Sequence, residues 1–172
     1  MTSTNQLVIK WAEDKGITKF KPQGQLTKVL EEFGEFSATY IRWMDGEDTP
    51  ELKKEMIDAI GDTQVTLIIL SAMTQIDYDF VLSESKIIDN LTRDYELVAN
   101  GTVFLADIAT AVNKSWHEEL VYAYIRMLSI VRTLAWKVNV DFDRSLEVAY
   151  AVIAGRTGEM RDGVFVKSED IK

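Results

Sequence analysis

Thr49-Pro50-Glu51-Leu52-Lys53-Lys54-Glu55-Met56-Ile57-Asp58-Ala59-Ile60-Gly61-Asp62 opens the segment on which the fold turns. Thr as N-cap, Pro at the first helical position and an acid beside the positive end of the dipole make a strong helix start. From there Glu55, Asp58 and Asp62 recur at the three- and four-residue spacing of one helical face, and the line continues through Val65, Ile69, Ala72 and Ile76. The same face therefore carries acid at one end and core residues at the other. Upstream, Glu31-Glu32-Phe33-Gly34-Glu35 repeats the pattern: its three acids are helical neighbours, and Glu32 lies on a line with Val29 and Phe36. Like charges so placed cost an isolated helix ~0.2–0.5 kcal/mol per pair. Carboxylates along a buried face cost more unless they are paired or metal-bound. A divalent cation such as Mg²⁺ or Mn²⁺, which takes oxygen ligands, would compensate directly. A solvated acidic face is the competing reading, and the continuation into core residues argues against it.

Working outward, the chain reads as all-α. It has 172 residues, only two prolines, and no convincing alternation of period two. Helices are expected over about 4–15, 25–44, 51–75, from Asp77 or Asp79 to about 94, 103–114, 116–139, and from Asp141 or Asp143 to about 154. Residues 19–24 read as loop. Leu26, Leu30, Phe33, Tyr40 and Met44 form the apolar stripe of the second helix. Asn100-Gly101 marks a break, and Ser115-Trp116-His117-Glu118 reads as a capping box. Gly155 and Gly158 end helical structure, and 162–167 is expected to be extended.

Composition narrows the chemistry. The absence of cysteine excludes disulfides, zinc-thiolate sites and thiol nucleophiles, and a single histidine, His117, removes most imidazole catalysis. A net charge of −9 opposes binding to nucleic acid or an anionic membrane. The longest apolar run, 65–73, is too short to span a bilayer. Met1-Thr2-Ser3-Thr4-Asn5 lacks the basic and apolar regions of a signal peptide. A cytoplasmic location is expected, the host cytoplasm if the protein is viral.

A repeat is visible at an offset of 64 residues: Glu55, Ala59, Leu70, Asp77, Asp79 and Leu82 align with Glu119, Ala123, Leu134, Asp141, Asp143 and Leu146. The copy lacks the acids, since Tyr122 and Arg126 stand where Asp58 and Asp62 stand. This divides the chain into 1–99, carrying the metal site, and a degenerate second half, 100–172, packed with the first as one domain. One metal site per chain is expected.

Glu-Glu-x-x-Glu followed 19 residues later by Glu-x-x-Asp resembles the signature of the MazG-like, all-α nucleoside triphosphate pyrophosphohydrolases, relatives of the dimeric dUTPases. Trp11-Ala12-Glu13-Asp14-Lys15-Gly16-Ile17 resembles the start of short phage-type members. Tyr150, Ile153, Arg156, Gly158 and Asp162-Gly163-Val164-Phe165-Val166-Lys167 resemble their end, and Lys86, Asn90 and Arg93 resemble a Lys…Asn…Arg pattern that follows the metal helices. The familiar start and end are here separated by about one extra half-module.

The resemblance implies an antiparallel helical bundle assembled as a homodimer or dimer of dimers. It implies Mg²⁺-dependent cleavage between the α and β phosphates of a (deoxy)nucleoside triphosphate, with Mn²⁺ able to substitute. Glu32, Glu35, Glu55 and Asp58 would ligate the metal and Asp62 would support them. Glu31 would be a further ligand or the base that orients water, which makes Glu31, Glu32 and Glu35 the catalytic set. Lys86, Asn90, Arg93, Arg156 and Lys167 are the candidate substrate contacts. A solvated basic stripe is the bland reading of the first three. A purine such as dGTP is a guess at the base. Alternatives are a dUTPase-like or guanosine-tetraphosphate hydrolase, or a non-catalytic helical dimerisation or regulatory protein.

Overall fold

Helix α3, Pro50–Met73, is the axis of the molecule, and the computed structural model buries nearly all of its second half, from Ile60 to Ser71. The structure describes residues 2–88, 93–161 and 164–168. Within them lie α1 (Thr4–Asp14), a 3-10 turn (Ile17–Lys19), α2 (Pro22–Met44), α3, α4 (Tyr78–Glu84), α5 (Asp94–Lys114), α6 (His117–Lys137) and α7 (Phe142–Ala154). A short antiparallel hairpin follows, β1 (Gly158–Arg161) with β2 (Val164–Lys167), Gly158 opposite Lys167. The fold is all-α, as the spacing of apolar residues dictates.

Thr49 caps α3 through its side chain, which accepts the Leu52 N–H at 3.1 Å, and Pro50 occupies the first turn. α2 and α3 form one antiparallel hairpin and α5 and α6 a second. α3 also packs on α7, and α6 on α4, so the long helix of each half is covered by the short helix of the other. α1 lies against α3 and α7. One core cluster runs through all seven helices among the described residues, from Val8 through Phe36, Leu67, Val81, Ile108 and Met127 to Ile153. α3 alone among the described helices is long and apolar enough to cross a bilayer, and it is 67% buried over that window, as the core helix of a bundle is.

Several expected boundaries shift. Helix α2 starts at Pro22 rather than near 25, because a proline needs no amide partner at a helix start. Leu30 is 57% exposed, and the inward stripe of α2 is instead Val29, Phe33, Phe36 and Tyr40. Asn100-Gly101 is no break but the interior of α5. Gly101 is there because the Phe33 ring of α2 passes over it, within 2.3 Å of where a Cβ would stand. The half-boundary at 99/100 therefore cuts a helix. Ser115 does not cap α6; it ends α5 in the left-handed conformation, φ 56°, and Trp116 begins the next helix without a side-chain cap. Helix α4 stops at Glu84, ten residues short of the expected end, and 85–88 has no regular structure.

Two helix ends 64 residues apart share one geometry. Gln75 and Asn139 both take the left-handed conformation, φ 59° and 53°. Ile76 N–H donates to Ser71 O and Val140 N–H to Ala135 O, each at 2.9 Å. Both bonds close the helix end in the manner of a Schellman turn. Asp77 then accepts from Phe80 N–H at 3.0 Å and Asp141 from Arg144 N–H at 2.9 Å, starting α4 and α7 alike.

Gly61 sets how closely α3 and α7 approach. A Cβ there would lie 2.4 Å from the Ser145 carbonyl oxygen and 2.8 Å from the Ala149 Cβ. Backbone cannot yield as a side chain can, so Gly61→Ala is expected to destabilise the protein by about 1–3 kcal/mol. Gly34, also in a helix interior, has nothing within 4 Å of its position. Gly34→Ala should stabilise by about 0.5–1 kcal/mol through reduced chain entropy. Thermal melts of the pair check this: shifts of the same sign would mean that the α3–α7 contact does not set the spacing.

Candidate functional site

The antiparallel register of α2 and α3 decides which acids meet. Glu32 lies beside Asp62, and farther along the seam Arg42 meets Glu55. Glu31, Glu32 and Glu35 from α2 and Asp62 from α3 line one wall of a cleft of ≈330 Å³. Lys28 from α2 and Arg156 from the segment after α7 add two cations to its lining. The rest of the lining is mainly apolar, Trp11, Ile17, Val65, Ile69, Ile153 and Phe165, with Gln25 and Thr66 among them. Trp11 and Phe165 meet edge to face with centroids 5.6 Å apart, so the C-terminal hairpin closes that side of the cleft against α1. The buried Trp11 Nε1 has no hydrogen-bond partner among the described residues.

The electrostatics follow from crowding. The Glu32 carboxyl is pushed up to about 7, first by burial, then by Asp62 and Glu35, with Glu31 adding to the rise and Lys28 opposing it. Lys28 Nζ holds Glu31 at 2.7 Å. Gln25, 8% exposed, donates through Nε2 to the Thr66 carbonyl at 3.0 Å, while Thr66 Oγ1 donates back along α3 to the Asp62 and Thr63 carbonyls. The Gln25–Thr66 bond ties the α2 and α3 walls together one turn along α3 from Asp62.

Other expected site residues fall elsewhere. Glu55 is exposed and ion-paired at 2.5 Å with Arg42, which also grips Glu47 through two nitrogens at 2.7 and 2.9 Å. Glu55 precedes Asp62 by two turns, roughly 10 Å along the axis, and so misses the cleft. Asp58 is half-buried, one turn from Asp62, and is not among the lining residues. Asp62, expected only to support the others, is instead the α3 acid that faces the cleft. Lys86 and Arg93 share no helical face: Lys86 follows the end of α4, its backbone N–H bonded to Ser129 Oγ at 3.1 Å, and Arg93 stands at the N-cap of α5. Both are exposed and neither lines the cleft. Asn90 and the side chain of Lys167 lie outside the described residues, whereas Arg156 lines the cleft. Gln25, Lys28 and Thr66 were missed. Gln25 and Lys28 stand at seven and four positions before Glu32, which places them on the same face of α2.

As a donor set, four carboxylates on one wall suit a hard divalent cation with an oxygen shell. Among the described residues no three acids or imidazoles are gathered as a ready-made cage. Compared with known proteins, the chain matches no family model, no curated protein and no solved structure.

The raised Glu32 carboxyl fixes the sign of a pH effect. Its folded value of about 7 exceeds the ordinary 4.5. The folded protein therefore holds more protons than the unfolded chain between those values, and stability falls as pH rises through that window. Metal-free protein is expected to melt at a higher temperature near pH 5 than near pH 8, and Glu32→Gln should flatten that dependence. An undiminished slope in the variant would place the effect on another group.

Proposed function

We propose that this chain is a divalent-metal-dependent nucleoside triphosphate pyrophosphohydrolase of the MazG-like kind, releasing a monophosphate and pyrophosphate. The observation that carries the reading is the division of one cleft into an acidic wall, Glu31, Glu32, Glu35 and Asp62, and an apolar wall headed by Trp11 and Phe165. A cleft of ≈330 Å³ is within the size range of small-molecule sites. A polyphosphate with an attached ring is amphipathic in the same sense, charged at one end and flat and apolar at the other.

In this reading Glu32, Glu35 and Asp62 hold Mg²⁺ or Mn²⁺. When bound, such a cation neutralises the acids, polarises phosphate oxygens and acidifies a coordinated water. Glu31, steadied by Lys28, orients the attacking water. Its oxygen bonds to phosphorus, its proton passes to carboxylate, and the bridge between the α and β phosphates breaks with the electron pair leaving on pyrophosphate. Lys28 and Arg156 offset charge on the phosphates. Trp11, Ile17, Val65 and Ile153 exclude bulk water from the ring end, and the unspent Trp11 Nε1 is a donor for a ligand oxygen. The second half is read as a diverged copy, the assembly as a homodimer or dimer of dimers, and the location as cytoplasmic.

The test is a panel of ribo- and deoxynucleoside triphosphates with Mg²⁺ or Mn²⁺, with pyrophosphate and orthophosphate separated by ion exchange. Pyrophosphate release that stops in excess EDTA is expected. Glu32→Gln and Asp62→Asn should each lower the rate by at least roughly 100-fold, with circular dichroism unchanged. Glu55→Gln, on the outer surface, should retain most of the activity. Orthophosphate as sole product, or equal loss in all three variants, would overturn the assignment.

A further inference from the structure

The second helical hairpin carries its own cleft. It measures ≈320 Å³, opens between α5 and α6, and includes Asp107, Trp116, Glu119, Tyr122 and Arg126 in its lining. Its lining shares one repeat-equivalent position with that of the first, Arg126 for Asp62. Arg126 stands 64 residues after Asp62, and where Asp62 lies beside Glu32 across the α2–α3 seam, Arg126 lies over the Phe104 ring across the α5–α6 seam, 5.6 Å from its centroid. The acid pair of one hairpin has become a guanidinium on an aromatic face in the other. The contact is within cation–π range, and Arg126 forms no ion pair among the described residues. Beside it two rings stand open to solvent, Trp116 at 49% and Tyr122 at 66% exposure.

Three features define what would fit. A permanent cation at this position supplies what a bound metal would supply to a phosphate oxygen, without needing ligands of its own. Two exposed aromatic faces accept a flat ring. Asp107 and Glu119 are acceptors suited to sugar hydroxyls or a base amino group, and with Arg126 they leave the lining at a formal charge of −1, one cation against two acids. That balance opposes a triphosphate and tolerates a single phosphate held directly on Arg126. We propose that the α5–α6 cleft binds a nucleoside monophosphate without a metal ion, its phosphate on Arg126 and its base against Trp116 and Tyr122. The site binds and does not cleave, because the acids that would hold a cation are absent. The choice of a nucleotide rests on the function proposed for the α2–α3 cleft. Granted that function, the ligand is the reaction's own product, and the second half becomes a product sensor.

Equilibrium dialysis of the full chain in EDTA, with AMP, GMP, CMP and UMP and their deoxy forms as probes, tests this. At least one monophosphate should bind with one site per chain, and the matching triphosphate at least about tenfold more weakly. Arg126→Gln and Trp116→Ala, both at exposed positions, should weaken binding at least about tenfold with unchanged circular dichroism, while Glu32→Gln should leave it intact. No monophosphate binding in EDTA would overturn the proposal. Binding that is lost in Glu32→Gln but kept in Arg126→Gln would also overturn it, since the ligand would then occupy the first cleft. A chain that dimerises in sedimentation equilibrium, becomes monomeric on Trp116→Ala and binds no monophosphate would reassign the exposed rings to a subunit interface. Metal-free binding that follows Arg126 in a protein without pyrophosphohydrolase activity would sustain this site while the first reading fails.

Discussion

Helices α3 and α7 touch backbone to backbone at Gly61, one residue before Asp62, and the rest of the molecule is arranged around that contact. With no side chain at position 61, the Ser145 carbonyl and Ala149 come to a distance that any Cβ would forbid. The tight approach brings Ile153 in the last turn of α7, and Arg156 just beyond it, to the rim of the cleft whose acids stand on α2 and α3. It also leaves α1 a place against α3 and α7, which carries Trp11 to the apolar wall. One missing methyl thus helps set cleft width, charge balance at the rim and the position of the aromatic wall.

Carboxylates are gathered at a cost visible in Glu32. Burial and three acidic neighbours raise its proton affinity to neutrality, and one lysine opposes them. Such crowding is common where carboxylates serve chemistry, and here it coincides with a cleft instead of an open surface. By contrast, Glu55 is paired with Arg42 in solvent, an arrangement that contributes little. The same helix therefore carries one acid under electrostatic pressure and another already at rest, two turns apart.

The α2–α3 and α5–α6 hairpins are each followed by a turn of the same geometry. The turns from α3 to α4 and from α6 to α7 match position for position, down to the left-handed Gln75 and Asn139 and the capping Asp77 and Asp141. What differs is the seam: Glu32 and Asp62 in one, Phe104 and Arg126 in the other. A helical hairpin tolerates this exchange because its stability comes from the inward stripe, not from the groove that faces solvent.

By itself the sequence determined the helical class, the start of α3 at Thr49-Pro50, the starts of α4 and α7 to within one of two aspartates, and the presence of an acid cluster on α2 and α3, because these depend on local spacing and capping. It also carried the 64-residue repeat. Which acids meet was decided only in three dimensions. Helical periodicity names a face but not the turn at which a neighbouring helix crosses it, so Glu55, Asp58 and Asp62 were equivalent in sequence and became distinct through the α2–α3 register. Gly101 read as a break because its neighbour, the Phe33 ring, is distant in sequence, and a close tertiary contact outweighs the ~1 kcal/mol that glycine costs inside a helix. The basic trio Lys86, Asn90 and Arg93 was placed on a helix by spacing alone. Helix α4 ends at Glu84, where Ser85 is buried and its carbonyl and hydroxyl accept from Arg132 of α6, a partner no local pattern could announce.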